Sequence, residues 1–174
     1  IRKVLQNSEK EEVSLAEELE MTRQYLNLEK LRFDFGFSIS VEQNIDANNT
    51  MVPSMLLQPF AENAVIHGLY NKPGNRKLNI EVLRKGEGRG KEEGGGRGRG
   101  KGEDKDNGIV IRIEDNGIGR EAAREIAGQK NGKGSKLVQE RLEILQQKQG
   151  EKYSLNIIDL EEGTRVEIFI PEEN

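Results

Sequence analysis

Two stretches of the 174-residue chain place reactive side chains at spacings that could do chemistry. The first is Gln58-Pro-Phe-Ala-Glu62-Asn63-Ala-Val-Ile-His67-Gly68. Asn63 and His67 are four apart, so on a helix they share a face, with Gln58 and Glu62 alongside. An amide and a carboxylate beside an imidazole can meet phosphate oxygens and a hard cation such as Mg2+, which takes oxygen ligands and keeps several waters. The same pattern also fits an ordinary amphipathic helix with a solvated polar side, since Leu57, Phe60, Ala61, Ala64, Val65 and Gly68 form one apolar stripe. The second stretch is Ile113-Glu-Asp115-Asn-Gly117-Ile-Gly119. A carboxylate at a strand end only accepts hydrogen bonds, and the exocyclic amine of adenine donates them. Gly117 and Gly119 would let backbone approach a flat ring closely. A plain Asn-Gly turn is the alternative.

A third stretch, Asn131-Gly132-Lys133-Gly134-Ser135, leads into a helical pattern. Backbone N–H groups at such a place form an anion site, and Lys133 adds a point charge. The run from Gly128 to Ser135 misses the Walker A spacing by one residue and has no strand feeding it, so a P-loop is excluded.

These stretches need elements to hold them. Ser14-Leu-Ala-Glu17 is a capping-box pattern opening a helix to about Leu31, with apolar Leu15, Leu19, Met21, Tyr25, Leu26 and Leu28. Phe37–Val41 alternates as a strand. Pro53 suits the first turn of a second helix running to about Leu69, ended by the turn Asn71–Gly74. Leu78–Val82 and Ile109–Ile113 read as paired strands. A short helix is expected from about Arg120, a third clear helix over Ser135–Gln147, and two final strands over Tyr153–Asp159 and Thr164–Ile170, joined by a turn at Glu161-Glu-Gly163. This order predicts an α+β fold: a two-layer α/β sandwich, its mixed sheet covered by helices on one face.

Composition narrows the classes. With 27 basic and 31 acidic residues the net charge is −4, which does not suit a DNA-binding surface. There is no cysteine, so no disulfide, thiolate zinc site or cysteine nucleophile. A single histidine excludes a His-rich metal site and an HExxH metalloprotease. No apolar run approaches a membrane span and no signal peptide is visible. Lys85 to Gly108 holds ten glycines, seven basic and six acidic residues, one Asn and nothing apolar, and is expected to be a disordered surface loop enlarging the hairpin. Its Arg-Gly pairs echo RNA-binding segments, but the acids nearly cancel the bases and no aromatic is present to stack on a base, so no nucleic-acid partner is expected.

Taken together, the Asn-bearing helix, the DNGIG turn and the Gly-x-Gly link resemble, in that order, the nucleotide-binding boxes of the GHKL ATPase superfamily shared by gyrase, MutL and histidine kinases. In finer detail MVPSMLLQPFAENAVIHGL, IRIEDNGIGR, GKGSKLVQERLEIL and the final GTRVEIFIP look like LytS/YehU-type sensor histidine kinases. VSLAEELEMTRQYLNLEKLRF also resembles the segment preceding their ATP-binding domain. The resemblance implies a Bergerat-type sandwich and, as cofactors, ATP and Mg2+. It implies that Asn63 coordinates Mg2+ bridging the phosphates, that Asp115 accepts from the adenine amine, and that Thr164 helps hold a water there. Gly117 and Gly119 would pass the nucleotide, Gly132 and Gly134 would belong to a mobile lid, and Lys133 would contact phosphate. Glu62 and His67 would lie near the triphosphate, with Glu62 and Asn63 as the catalytic pair. The reaction implied is transfer of the γ-phosphoryl group to a histidine nitrogen, with positioning and charge neutralisation dominating.

The family's phosphoacceptor motif, PHFLFN-like, is absent here, so the acceptor histidine is expected outside this chain, and His67 is not it. Residues 1–13 are expected to be the tail of a preceding dimerisation helix region, with Ile1–Leu5 as a helix end, and 14–174 the ATP-binding catalytic domain. The expected partners are the kinase's own dimerisation and phosphoacceptor domain and a response regulator. The domain is expected to be cytoplasmic, and the full-length protein a homodimer anchored in the cell membrane. Two other readings stay open, the second because Ser135 and Leu137 depart from the GxGLxN pattern of the family's lid. One is an ATPase or anti-sigma-type serine kinase of the same superfamily; the other is a degenerate, non-catalytic nucleotide-binding module.

Overall fold

The computed structural model describes residues 12–85, 107–127, 140 and 153–172. The expected helix end at Ile1–Leu5, the Gly-rich interior of the hairpin, the third helix apart from residue 140, and the residues Gly132, Lys133, Gly134, Ser135 and Leu137 lie outside the described residues.

A short strand, β1 (Glu12–Ser14), runs directly into helix α1 (Leu15–Lys30). The expected capping box forms: the Ser14 hydroxyl accepts from the Glu17 N–H and the Glu17 carboxylate accepts from the Ser14 N–H, each at 3.2 Å. Leu15, Glu18, Leu19, Thr22 and Leu26 make the buried face, at helical steps of three and four. Leu28, expected within the apolar stripe, is 63% exposed. Two polar residues therefore sit inside the stripe and one leucine sits outside it. The Thr22 hydroxyl is satisfied by the Glu18 carbonyl at 2.9 Å.

The chain then forms β2 (Gly36–Val41) and a second short strand, β3 (Met51–Pro53). β3 pairs antiparallel with β1, Val13 opposite Val52. The expected helix from Pro53 to Leu69 is thus corrected at its start. Pro53 ends a strand, residues 54–57 turn, and α2 covers Gln58–Asn63 with Pro59, not Pro53, in its first turn. The physical cause is an acceptor from elsewhere in the chain. The Glu18 carboxylate takes the Met55 N–H at 3.0 Å and the Leu57 N–H at 2.8 Å, drawing both off a helical ladder. Met55 pays for this with φ +57°, a left-handed conformation costing a side-chain-bearing residue about 1 kcal/mol.

α2 continues as a wider turn over Ala64–Leu69, where the Tyr70 N–H reaches five residues back to Val65 at 2.9 Å. Such π-type turns recur at functional sites. The predicted apolar stripe of this helix is borne out: Leu57, Phe60, Ala61, Ala64, Val65 and Gly68 are all buried.

Strands β4 (Lys77–Lys85) and β5 (Gly108–Asp115) follow, then helix α3 (Gly119–Ala127), β6 (Ser154–Asp159) and β7 (Thr164–Pro171). The sheet order is β2-β4-β5-β7-β6; β2 and β4 are parallel, with α2 in their crossover, and the other pairs are antiparallel. Strand alternation separates two faces. Leu78, Ile80, Val82, Ile111, Ile113, Val166 and Ile168 are buried against the helices. On the opposite face Arg112 pairs with Glu167 at 3.0 Å and Glu81 at 3.7 Å, and Arg165 pairs with Glu114 at 2.7 Å. That face is a solvated lattice of ion pairs, and the two-layer sandwich with helices on one side is as expected. The Gly-rich stretch joins Lys85 to Gly108, which are cross-strand partners at the end of the hairpin opposite to Asp115.

Candidate functional site

Asp115 ends β5 opposite Thr164 at the start of β7. It is 5% exposed. Burial pushes its carboxyl up from 3.8 to about 6, while the N–H groups of Gly117 and Thr164, both donating to it, partly offset that rise. The Gly117 N–H lies 2.8 Å from Oδ1. A carboxylate in so dry a place is costly, and costly groups of this kind concentrate at functional sites.

Glycines make the crowding around it possible. A Cβ on Gly117 would stand 2.4 Å from the Gly68 carbonyl carbon, and one on Gly68 would stand 2.7 Å from Asp115 Oδ1. Gly163, at φ +87°, carries its backbone against the Asp115 carbonyl, where a Cβ would meet the oxygen at 1.9 Å. The Gly68 carbonyl, at the end of the wide helical turn, accepts the Ile118 N–H at 3.2 Å. Gly117, expected to make room for a ligand, thus first makes room for another piece of chain.

A cleft of about 250 Å3 opens beside Asp115. Asn63, His67, Asp115, Gly119 and Thr164 all line it, so the structure brings together five of the residues singled out from the sequence, contributed by α2 and its wide turn, β5, α3 and β7. Phe60, Ala64, Ile113, Ala123, Ile157 and Val166 supply apolar walls. Its volume lies just below the roughly 300–1,000 Å3 of typical small-molecule pockets, and its apolar walls with a few convergent polar groups have their usual character. Glu62 is not brought into the cleft wall; it accepts from the Gln58 side-chain amide at 2.8 Å, one helical turn back. Gly117 stands behind the wall, against Gly68.

Sequence reasoning missed several residues. Arg120 and Arg124 line the cleft from α3, and Arg120 pairs with Asp159 at 3.0 Å. Their spacing of four after the glycine turn was the available signal. The Lys72 ammonium donates to the Asn116 carbonyl and pairs with Glu162 at 2.8 Å, holding that exposed carboxyl below its usual range. Asn116 does not face a ligand: its side-chain oxygen accepts the Lys77 N–H at 2.7 Å and its amide donates to the Asn75 carbonyl at 3.1 Å. These two residues brace the turn between Asp115 and Gly119, and their partners lie too far along the chain for any local pattern to show.

Among the described residues no cluster of three or more His, Asp or Glu side chains could hold a metal by itself. The neutral amide oxygen that Asn63 brings to the cleft fits a Mg2+ that keeps waters and shares ligand phosphates, and does not fit a cation caged wholly by protein. Among the described residues no helix is long and apolar enough to cross a membrane.

Comparison with known proteins follows this geometry. A family model described as histidine kinase matches residues 1–37. The chain is 29% identical over 175 residues to the sensor histidine kinase YesM of Bacillus subtilis (strain 168), covering 97% of this chain and 26% of that protein. It is 31% identical over 81 residues to the sensor histidine kinase/phosphatase LytS of Staphylococcus aureus (strain MRSA252), covering 47% of this chain and 14% of that one. The chain thus spans about a quarter or less of the length of these curated relatives. Among solved structures, the catalytic domain of histidine kinase ThkA superposes with a TM-score of 0.53 at 12% identity, over 92% of this chain and 93% of that one. At that identity the likeness speaks for the fold, which is the sandwich of histidine kinase catalytic domains.

Proposed function

The chain belongs to the LytS/YehU-type sensor histidine kinases, and from that premise we propose that it is their ATP-binding catalytic domain, transferring the γ-phosphoryl group of ATP to a histidine outside residues 1–174. The observation that carries this reading is the convergence of Asn63, His67, Thr164 and the buried Asp115 on one apolar-walled cleft. Asp115 would accept the adenine amine, and its fixed, dry carboxylate gives the site its preference for adenine over guanine, whose ring presents a carbonyl oxygen at that position. Thr164 would hold a water in the same network. Asn63 would hold Mg2+, which when bound neutralises phosphate charge. His67 would lie beside the triphosphate, and Glu62 would act with Asn63 from the same helix. Gly119 would pass the nucleotide with Gly117, and Gly132, Lys133 and Gly134 would close over the phosphates. The chain's work is positioning: a neutral imidazole is already a nucleophile, so no strong base is required.

In this reading residues 1–13 are the tail of a dimerisation helix region and 14–174 are the catalytic domain, the ends of the Gly-rich stretch, Lys85 and Gly108, being strand residues paired with each other. The full-length kinase would be a membrane-anchored homodimer that passes the phosphoryl group to a response regulator. The test is calorimetry of the 174-residue chain with a non-hydrolysable ATP analogue, with and without Mg2+, and with the GTP analogue. Magnesium-dependent binding selective for adenine is expected. No heat at millimolar nucleotide would overturn the reading, and equal binding of the guanine analogue would overturn the role of Asp115.

A further inference from the structure

The buried carboxylate of Glu18 belongs to no part of the cleft, yet it is among the largest side chains fully sequestered in the molecule, at 1% exposure. It comes from α1, inside the residue range matched by the histidine kinase family model, and reaches the turn immediately before α2. There its two oxygens take one backbone N–H each, Leu57 at 2.8 Å and Met55 at 3.0 Å. Leu57 is the residue that begins α2, and its own side chain cannot cap the helix. Met55 stands at φ +57° without the excuse of being glycine. A strained turn persists only where its surroundings hold it, and here one buried carboxyl group grips it at two points. Six residues beyond Leu57 comes Asn63, and ten beyond it His67, both in the cleft wall.

We propose that Glu18 is a positioning residue: by fixing the 54–57 turn it sets the angle at which α2 presents Asn63 and His67 to the cleft. The proposal rests on the reading of the cleft as a Mg2+–nucleotide site for its binding arm alone. Glu18 thereby ties the phosphate end of the cleft to α1, whereas the adenine end, at Asp115, is built on β5 and β7 and braced by Lys72 and Asn116. Disturbing Glu18 therefore acts unequally on the two ends.

The test compares Glu18→Gln, Met55→Gly and the double variant in the full 174-residue chain. Glu18→Gln keeps the shape but turns one acceptor into a donor facing an N–H. Met55→Gly removes the strain that the carboxylate holds, since glycine takes a positive φ freely. In the ligand-free protein, NMR signals of the Asn63 side-chain amide and the His67 ring should shift in Glu18→Gln and return towards their original positions in the double variant. With nucleotide, Glu18→Gln should weaken Mg2+–ATP binding about tenfold, as when only a tenth of the molecules keep the competent turn. Adenosine binding should stay within about twofold, and the glycine substitution should restore most of the loss. Unmoved Asn63 and His67 signals in a folded Glu18→Gln protein overturn the proposal, as does an equal loss of ATP and adenosine binding, or no recovery in the double variant. If Glu18→Gln alone does not fold, the double variant is read against Met55→Gly, and identical Asn63 and His67 signals in those two proteins support the proposal while a retained difference overturns it. If the unaltered chain binds no nucleotide, the functional reading falls and the ligand-free NMR still decides the role of Glu18.

Discussion

Replacing Asp115 by Asn should make the protein more stable at neutral pH while damaging its site. The carboxyl of Asp115 is raised from 3.8 to about 6 by burial, so the folded chain holds this proton over a range in which the unfolded chain has lost it. A raised folded-state value contributes stability that is fully present below about pH 4 and is lost as pH rises through about 6. A displacement of about two units corresponds to roughly 3 kcal/mol, with no discount for screening because the group is almost wholly buried. An asparagine side chain at this position does not titrate. Its carbonyl oxygen can still accept the Gly117 N–H, but its amide would face the Thr164 N–H, a fixed cost of about 1 kcal/mol at every pH. Urea melts of both proteins between pH 4 and pH 7.5 give the comparison. The variant should gain roughly 3 kcal/mol relative to the parent across that range, most of it between pH 4 and 6.5, or some 6–12 °C in melting temperature. The same variant should lose its preference for ATP over GTP. If the two stability curves run parallel from pH 4 to 7.5, Asp115 is not an ionised group in a dry site, and its assignment to the adenine amine loses its physical basis.

Asn63→Ala should abolish the magnesium-dependent part of ATP binding, at least about tenfold by calorimetry, while adenosine affinity is kept, because in the proposed site the lost amide oxygen would be the hard-cation donor in the wall. Gly68→Ala puts a methyl 2.7 Å from Asp115 Oδ1, and should cost about 2 kcal/mol in urea melts and weaken adenosine binding; a protein of unchanged stability would show that the helix can simply move away. Arg112→Ala, on the ion-paired outer face, should cost under about 1 kcal/mol and leave nucleotide binding untouched. Replacing residues 86–106 by a two-residue turn should leave ATP affinity unchanged, since the hairpin end they join is seven residue steps, roughly 23 Å, from Asp115; a large loss would make the stretch part of the site.

Where a local rule governs, the chain is legible. Ser14 and Glu17 cap α1 because three residues of sequence contain both halves of the box. Alternation in Leu78–Val82 and Ile109–Ile113 predicts strands because one face must be apolar and the other solvated, and the ion pairs of Arg112 and Arg165 show that second face. The first proline of the second helix is misplaced from sequence for an equally definite reason. Pro53 and Pro59 both satisfy the local preference for a helix start, and what separates them is a carboxylate 35 residues upstream of Pro53. Helix propensity in residues 54–57 gives way to two hydrogen bonds from the backbone to one buried side chain.

The site divides along the same line. Asn63, His67 and Asp115 stand out in the sequence because their types carry chemistry in themselves, Thr164 enters only through the family resemblance, and the four meet although the first and last are 101 positions apart. Glycine carries no such label, and its reading shifts most. From sequence, Gly117 gives room to a ligand; in the fold, Gly68, Gly117 and Gly163 give room to one another, so that two turns and a helix end close around one carboxylate. The consequence is that ligand affinity and fold stability share the same three residues. The dry carboxylate that the glycines create opposes folding at neutral pH, and the backbone N–H groups that crowd it keep it aimed. A site assembled in this way cannot lose a glycine without losing the aim of Asp115, whereas losing the charge of Asp115 gives up one of its two N–H contacts and still returns stability at neutral pH. The opposite signs of Gly68→Ala and Asp115→Asn in the same urea melts, with both variants impaired in adenine binding, are the joint signature of that arrangement; two losses of stability, or two gains, would separate the carboxylate from its frame.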